Sequence, residues 1–190
     1  NNRSNDGIGR YVDISGDGSR VITGARGHDF ILFVGSNYNT GAVFQYTYNG
    51  TSWSLVGDNA FFGLTSEGNN WYSERCAISA NGQHRVLASI DATNGAVGVF
   101  RGTASGGFLI TGTIKYGSGS GAQLGSSVAI NDDGSRFAAQ AQGAGYVSVY
   151  EWDGNDYSLM GSNITGFATS TQYYDGRQSI SLSGDGSRIA

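Results

Sequence analysis

The hexapeptide SGDGSR at residues 15–20 returns letter for letter at residues 183–188. Two worn copies lie between them, SANGQHR at 79–85 and NDDGSR at 131–136. A chain that writes one short turn four times is built from repeats, and nothing else in the sequence constrains its fold as strongly. With the turn glycines Gly18, Gly82, Gly134 and Gly186 as markers, the spacings are 64, 52 and 52 residues. A period of roughly 50 residues points to a propeller, a solenoid or an array.

Each turn has apolar neighbours on both sides. Val12 and Ile14, Ala77 and Ile78, Val128 and Ile130, and Ile180 and Leu182 precede the turns. Val21 and Ile22, Val86 and Leu87, Phe137 and Ala138, and Ile189 and Ala190 follow them. Asp-Gly or Asn-Gly between two short apolar runs is a hairpin signal, because these residues tolerate positive φ. A second signature sits between the turns: GAVFQYTYNGTSWSLVG at 41–57, GAVGVFRGTASGGFLITG at 95–112 and GYVSVYEWDGNDYSLMG at 145–161. Its frame is a glycine, a β-branched and aromatic strand, a turn, and a second strand entered by Trp53, Phe108 or Tyr157. Each repeat therefore holds two hairpins, which make four short antiparallel strands, the content of a propeller blade. Proline is absent and 32 glycines are present, so Gly, Asn and Asp make every turn. Glycine also interrupts every helical candidate.

The strings SVAINDDGSRFAAQ (127–140) and GYVSVYEWDGNDYSLMGSNITG (145–166) resemble tandem propeller repeats of secreted and surface proteins from marine microalgae and bacteria. Those repeats are grouped loosely with FG-GAP or integrin-α-like propellers. The resemblance implies propeller blades and an extracellular setting, and it implies no particular activity.

The expected fold is all-β: a β-propeller-like segment of four-stranded antiparallel blades, about three and a half of them, partial or closed by further chain. The segment covers residues 1–190, with approximate repeats at 8–67, 72–122 and 123–173 and a terminal hairpin at 177–190. The chain opens at Asn1 and stops inside a repeated motif, which is read as a slice of a longer, processed polypeptide. Its expected partners are the rest of that parent chain or other copies of itself, with glycans as a further possibility.

Composition narrows the function classes. Eleven basic and 15 acidic side chains leave a net charge of −4, and the pI is near 4.9, which argues against nucleic acid. No apolar run is long enough for a transmembrane helix. Cys76 is the lone cysteine and lies in an apolar run, as a small buried hydrophobe does. The turn aspartates Asp17, Asp133 and Asp185 offer one or two acids per loop, whereas calcium takes six to eight oxygens. No metal and no cofactor is expected. The glycine-rich YGSGSGAQLGSS at 116–127 lacks the lysine of a phosphate-binding loop, and no Gly-x-Ser-x-Gly frame occurs. No catalytic residue is assigned.

Three sequons make Asn2, Asn49 and Asn163 glycosylation candidates. The first repeat is 12 residues longer than the others, and its insertion carries the apolar run Phe30, Ile31, Leu32, Phe33, Val34. That run is either an extra strand on its own blade or a partner contact. These features lead to an expectation of a non-catalytic, extracellular or cell-surface structural or adhesive module that builds a surface or filament assembly. The alternative is an enzyme or carbohydrate-binding propeller whose active residues lie outside this segment.

Overall fold

The repeated turn folds as its letters dictate. In the first copy the Ser15 amide donates to the Arg20 carbonyl at 2.9 Å, and the Gly18 amide donates to the Ser15 carbonyl at 2.9 Å. The Ser15 hydroxyl donates to Asp17 Oδ1 at 2.6 Å and accepts from the Arg20 amide at 3.0 Å. Asp17 also accepts from the Ser19 amide at 2.9 Å and the Ser19 hydroxyl at 2.7 Å. Asp185 repeats this set with Ser183 and Ser187, while Asn131 takes the serine's place in the third copy and Asn81 the aspartate's in the second. The fourth letter is glycine in every copy because its φ is +69°, +65°, +81° and +66°.

This computed structural model describes residues 7–25, 28, 41–56, 75–90, 94–103, 108–167, 169 and 179–190. Its strands form three antiparallel sheets, each a meander in chain order. The first holds β1 (Ile8–Ile14), β2 (Arg20–Ala25), β3 (Ala42–Tyr48) and β4 (Trp53–Leu55). The second holds β5 (Arg75–Ile78), β6 (His84–Ser89), β7 (Ala96–Gly102) and β8 (Phe108–Tyr116). The third holds β9 (Leu124–Ile130), β10 (Arg136–Ala141), β11 (Tyr146–Trp152) and β12 (Tyr157–Leu159), with the short β13 (Ile164–Thr165) also on β11. The repeated turns join β1 to β2, β5 to β6 and β9 to β10. The fourth turn is flanked by a bridge between Leu182 and Ile189. The fold is a β-propeller-like array whose sheets do not close into a ring, with no helix among the described residues.

Core packing explains the lack of strict alternation. Sheet two is buried on both faces: Leu87 packs with Ile22, Val43, Cys76 and Ile78, while Val86 and Ala88 pack towards Leu124, Phe137 and Ala139. In sheet three Phe137 stacks on Tyr150 at 4.7 Å and meets the edge of Tyr157 at 5.2 Å. The Tyr157 hydroxyl donates to the Gly134 carbonyl at 2.6 Å, tying the outermost strand to the turn.

The turns also join one sheet to the next. The Gly16 amide donates to the Ala80 carbonyl at 2.9 Å, Asn81 to Asp132 at 3.0 Å, and Asp132 to Gly184 at 3.0 Å. The residue two after each turn glycine lies over the following turn. Arg20 Nη1 donates to the Gly82 carbonyl at 2.6 Å, and Arg136 Nη1 to Asp185 at 3.4 Å. Arg136 also pairs with Glu151 at 2.6 Å, whereas Arg20 has the backbone carbonyl. His84 fills the same place against Gly134. On the outer side, Asp156 accepts from the Thr113 amide and hydroxyl and from Lys115 Nζ, at 2.7–2.8 Å, latching sheet three to sheet two.

Register corrects one detail of the repeat. Val21, Phe137 and Ile189 pair with Ile14, Ile130 and Leu182, and the equivalent partner of Ile78 is Arg85. The apolar run after the second turn starts one residue late because an arginine occupies its first place.

Two outcomes follow. A methyl on Gly134 meets His84, whereas one on Gly50 meets nothing, although both glycines have positive φ. Gly134→Ala is expected to cost about 1–3 kcal/mol more than Gly50→Ala in urea unfolding. The Ser15 hydroxyl, followed by the Ser19 amide and hydroxyl, holds the Asp17 carboxyl down at about 2. That contribution is complete above the unfolded carboxylate value, near pH 4, and is lost as pH falls towards 2. Asp17→Ala should therefore lower stability at pH 6, with the gap to wild type closing in acid.

Candidate functional site

The first strand of each sheet lies innermost. β1 packs on β5 and β5 on β9, and the 180–182 segment follows. These four segments line a cavity of about 390 Å³ that includes Asp13 and Asp132. Concave space where several blades converge is the place for a ligand in this architecture.

Asp13 stands where the next two inner strands carry Ala77 and Ala129. Its Oδ2 accepts the Ile78 amide from the neighbouring sheet at 2.8 Å, and its Oδ1 accepts the Ile14 amide at 2.8 Å. Burial raises its pKa above the usual carboxylate value, against the pull of the two amides. Between the third sheet and the last segment, the Ser127 hydroxyl plays a similar part, accepting the Ile180 amide at 3.0 Å. Asp132 sits at the turn end of the cavity, its carboxylate against Gly184. The lining thus includes two carboxylates from different sheets, Asp13 with its pKa raised and both oxygens engaged by amides, and Asp132 at the turn end.

Cys76 lies beside Asp13 and is buried. Burial, then the Asp13 charge, pushes its thiol up to about 12, so it stays protonated and inert at neutral pH. Among the described residues no group of three or more His, Cys, Asp or Glu is placed to hold a metal ion.

The residues singled out from sequence lie elsewhere. Asn49 is at the exposed tip between β3 and β4, where its Oδ1 accepts the Thr51 and Ser52 amides at 3.0 and 2.9 Å. Asn163 is half-buried and accepts from the Ser148 hydroxyl at 2.8 Å. Asn2 and the run Phe30–Val34 fall outside the described residues. Sequence reading passed over Asp13, although an acid inside the apolar YVDIS stretch, where the next two copies carry Ala77 and Ala129 and the last Ser181, marks it.

No family model and no curated protein matches the chain in sequence. Solved structures do match in shape. A provisionally named 6-phosphogluconolactonase from Bacteroides fragilis superposes with a TM-score of 0.59 at 14% identity, covering 85% of this chain and 40% of that one. Another, from Bacteroides uniformis, gives 0.53 at 12% identity, covering 94% and 62%. Kuenenia stuttgartiensis hydrazine synthase gives 0.57 at 13% identity, covering 94% and 53%. The chain thus spans 40–62% of the length of these structures. At such identities the likeness shows a propeller-like fold, and the narrower FG-GAP grouping gains nothing from it.

The comparison does correct the functional expectation. The non-catalytic structural or adhesive reading rested on blades without a catalytic motif, and proteins bearing enzyme names carry the same blades. The physical reason is that turns and hairpins dictate the blade, while channel residues gathered from many blades would dictate chemistry. The expectation that the chain is not an enzyme is left without support.

Asp13 yields a paired outcome. Asp13→Ala strands the Ile78 amide and should cost about 1–3 kcal/mol. Asp13→Asn keeps an acceptor and removes the buried charge. Because the native pKa is raised, Asp13 contributes least once ionised, so Asp13→Asn should match or exceed wild-type stability at pH 7. Any advantage should shrink as pH falls through the raised native value and be gone below about pH 4. Thermal melts across pH check both.

Proposed function

We propose that the chain forms part of an enzyme or carbohydrate-binding propeller, supplies one arc of its central channel, and leaves the reacting residues to blades outside this segment. The observation that carries this reading is the open inner face of the first sheet. Cys76 and Ile78 of β5 are buried against the sheet before them, whereas their equivalents Val12 and Ile14 on β1 are 59% and 52% exposed. An apolar face of this kind is expected to be covered, at roughly 25 cal/mol per Å² buried. The cover is a preceding blade, from further parent chain or from another copy. The cavity at the inner strands then becomes one side of a channel lined all round.

The lactonase names among similar folds favour sugar-derived lactones as a first substrate class, and the polar groups lining the inner-strand cavity suit hydroxylated ligands. The proposal includes an extracellular or cell-surface location. The integrin-α-like resemblance implies that setting, and the exposed Asn49 sequon supports it. Among the described residues no helix is long and apolar enough to cross a membrane.

The complete parent protein should hydrolyse a member of a sugar-lactone panel or be retained on a glycan array. Asp13→Asn and Asp132→Asn should shift KM less than tenfold and leave kcat close to wild type. Loss of kcat beyond a hundredfold in either variant would move the chemistry into this segment and overturn that part of the proposal. Neither turnover nor glycan retention would overturn it whole. In protein from its native source, mass spectrometry should find glycan at Asn49, and an unmodified site would remove that support for the location.

A further inference from the structure

Sheet two departs from its neighbours at the positions that face sheet one. Arg85 occupies the core place held by Val21 and Phe137 and is only 2% exposed. Its guanidinium lies over the Phe108 ring at 4.7 Å, as Phe137 meets Tyr157 in sheet three. Its Nε donates to Gln45 Oε1 at 2.7 Å and its Nη1 to the Gln83 carbonyl at 2.7 Å. Gln45, itself 4% exposed, stands where the other two sheets carry Val99 and Val149. Two adjoining core positions have thus become polar together, across one sheet interface.

The charge pattern changes at the same place. In sheet three Arg136 is paired across the strands with Glu151 and bound to it. The equivalent pair in sheet two is His84 opposite Arg101, basic against basic. Arg20 reaches in from sheet one. Arg20, Arg85 and Arg101 all line a cleft of about 480 Å³ between the two sheets. Among the described residues none of the three forms an ion pair. Asp17 lies within electrostatic reach of Arg20 and Arg101 is exposed, but Arg85 is buried with only neutral acceptors, the Gln45 amide and the Gln83 carbonyl, and a buried cation is the one that most needs a counter-charge.

We propose that this cleft binds a phosphate-type dianion, with Arg85 and Arg101 as guanidinium forks and Arg20 closing the third side. Planar guanidinium groups match the oxygen geometry of phosphate, and three cations are better balanced by a dianion than by a carboxylate. The lowered pKa of His84, from burial and then from Arg101 and Arg85, agrees with an excess of positive charge there. Gly102 fits the design, since a Cβ at that position would sit 3.0 Å from Arg85 Nη1. In the equivalent space beside sheet three, Phe137, Tyr150 and Tyr157 fill the volume.

The test is calorimetric titration of the full chain with inorganic phosphate, glycerol 3-phosphate and acetate, each at constant ionic strength in chloride. Wild type should bind phosphate or its ester at least tenfold more tightly than acetate. Tighter binding of glycerol 3-phosphate than of phosphate assigns the site to an ester, and the reverse assigns it to the free ion. Arg101→Glu restores the sheet-three pattern at an exposed position and should weaken phosphate binding at least tenfold with an unchanged melting temperature in chloride. The double change Arg85→Phe with Gln45→Val, which refills the core, should abolish phosphate-dependent stabilisation. Phosphate binding no tighter than acetate, or unaltered in Arg101→Glu, would overturn the proposal.

Discussion

The structure hangs on a short ladder of backbone hydrogen bonds between turns, Gly16 to Ala80, Asn81 to Asp132 and Asp132 to Gly184. Each turn is stiffened by its own Ser, Asp and Gly, so it presents amide and carbonyl at a fixed spacing. Side chains then overlie the joint, with Arg20 on Gly82, His84 on Gly134 and Arg136 on Gly186. Glycine is required there twice over, by its φ and by the group resting on it. A repeated hexapeptide is therefore the connection between blades as well as a turn within one.

Given that ladder, stability is a matter of neighbouring sheets. Two interfaces are well described, and they differ in chemistry. Between sheets two and three the space is filled by aromatic rings and closed outside by Asp156 with Thr113 and Lys115. Between sheets one and two Ile22, Val43, Cys76, Ile78 and Leu87 form the inner core, but Arg85 and Gln45 replace apolar side chains further out. The first interface is built for cohesion, and the second combines cohesion with an open, cationic cleft.

The sequence was legible where local chemistry decides structure. Asp-Gly turns, aromatic strand entries and a spacing of 52 residues led to antiparallel four-stranded units because each of these acts within one hairpin. The Asn49-Gly50 tip is another such case, with Gly50 at φ +95°. The site was much less legible. Asp13 matters through the Ile78 amide 65 residues away, and Arg85 through Gln45, 40 residues back. Such pairings follow from how sheets stack, which a turn motif does not encode. Strand-by-strand alignment of the repeats exposes both, as an acid among small uncharged residues and an arginine among apolar ones. The error about function had a different origin, since a blade pattern says how the scaffold is held and little about what its channel does.

The turn ladder also has a direction. Every rung runs from an amide in the earlier turn to a carbonyl in the later one, so the array has a donor end and an acceptor end. Two such ends are complementary to each other and never to themselves. Blades therefore join head to tail, the heterologous geometry that closes a ring or runs on as a filament according to the rotation at each step. It follows that a whole repeat can be inserted or deleted without altering the chemistry of any remaining rung. Blade number can therefore change by complete units, provided each joint keeps its turn glycine, the one letter common to all four copies.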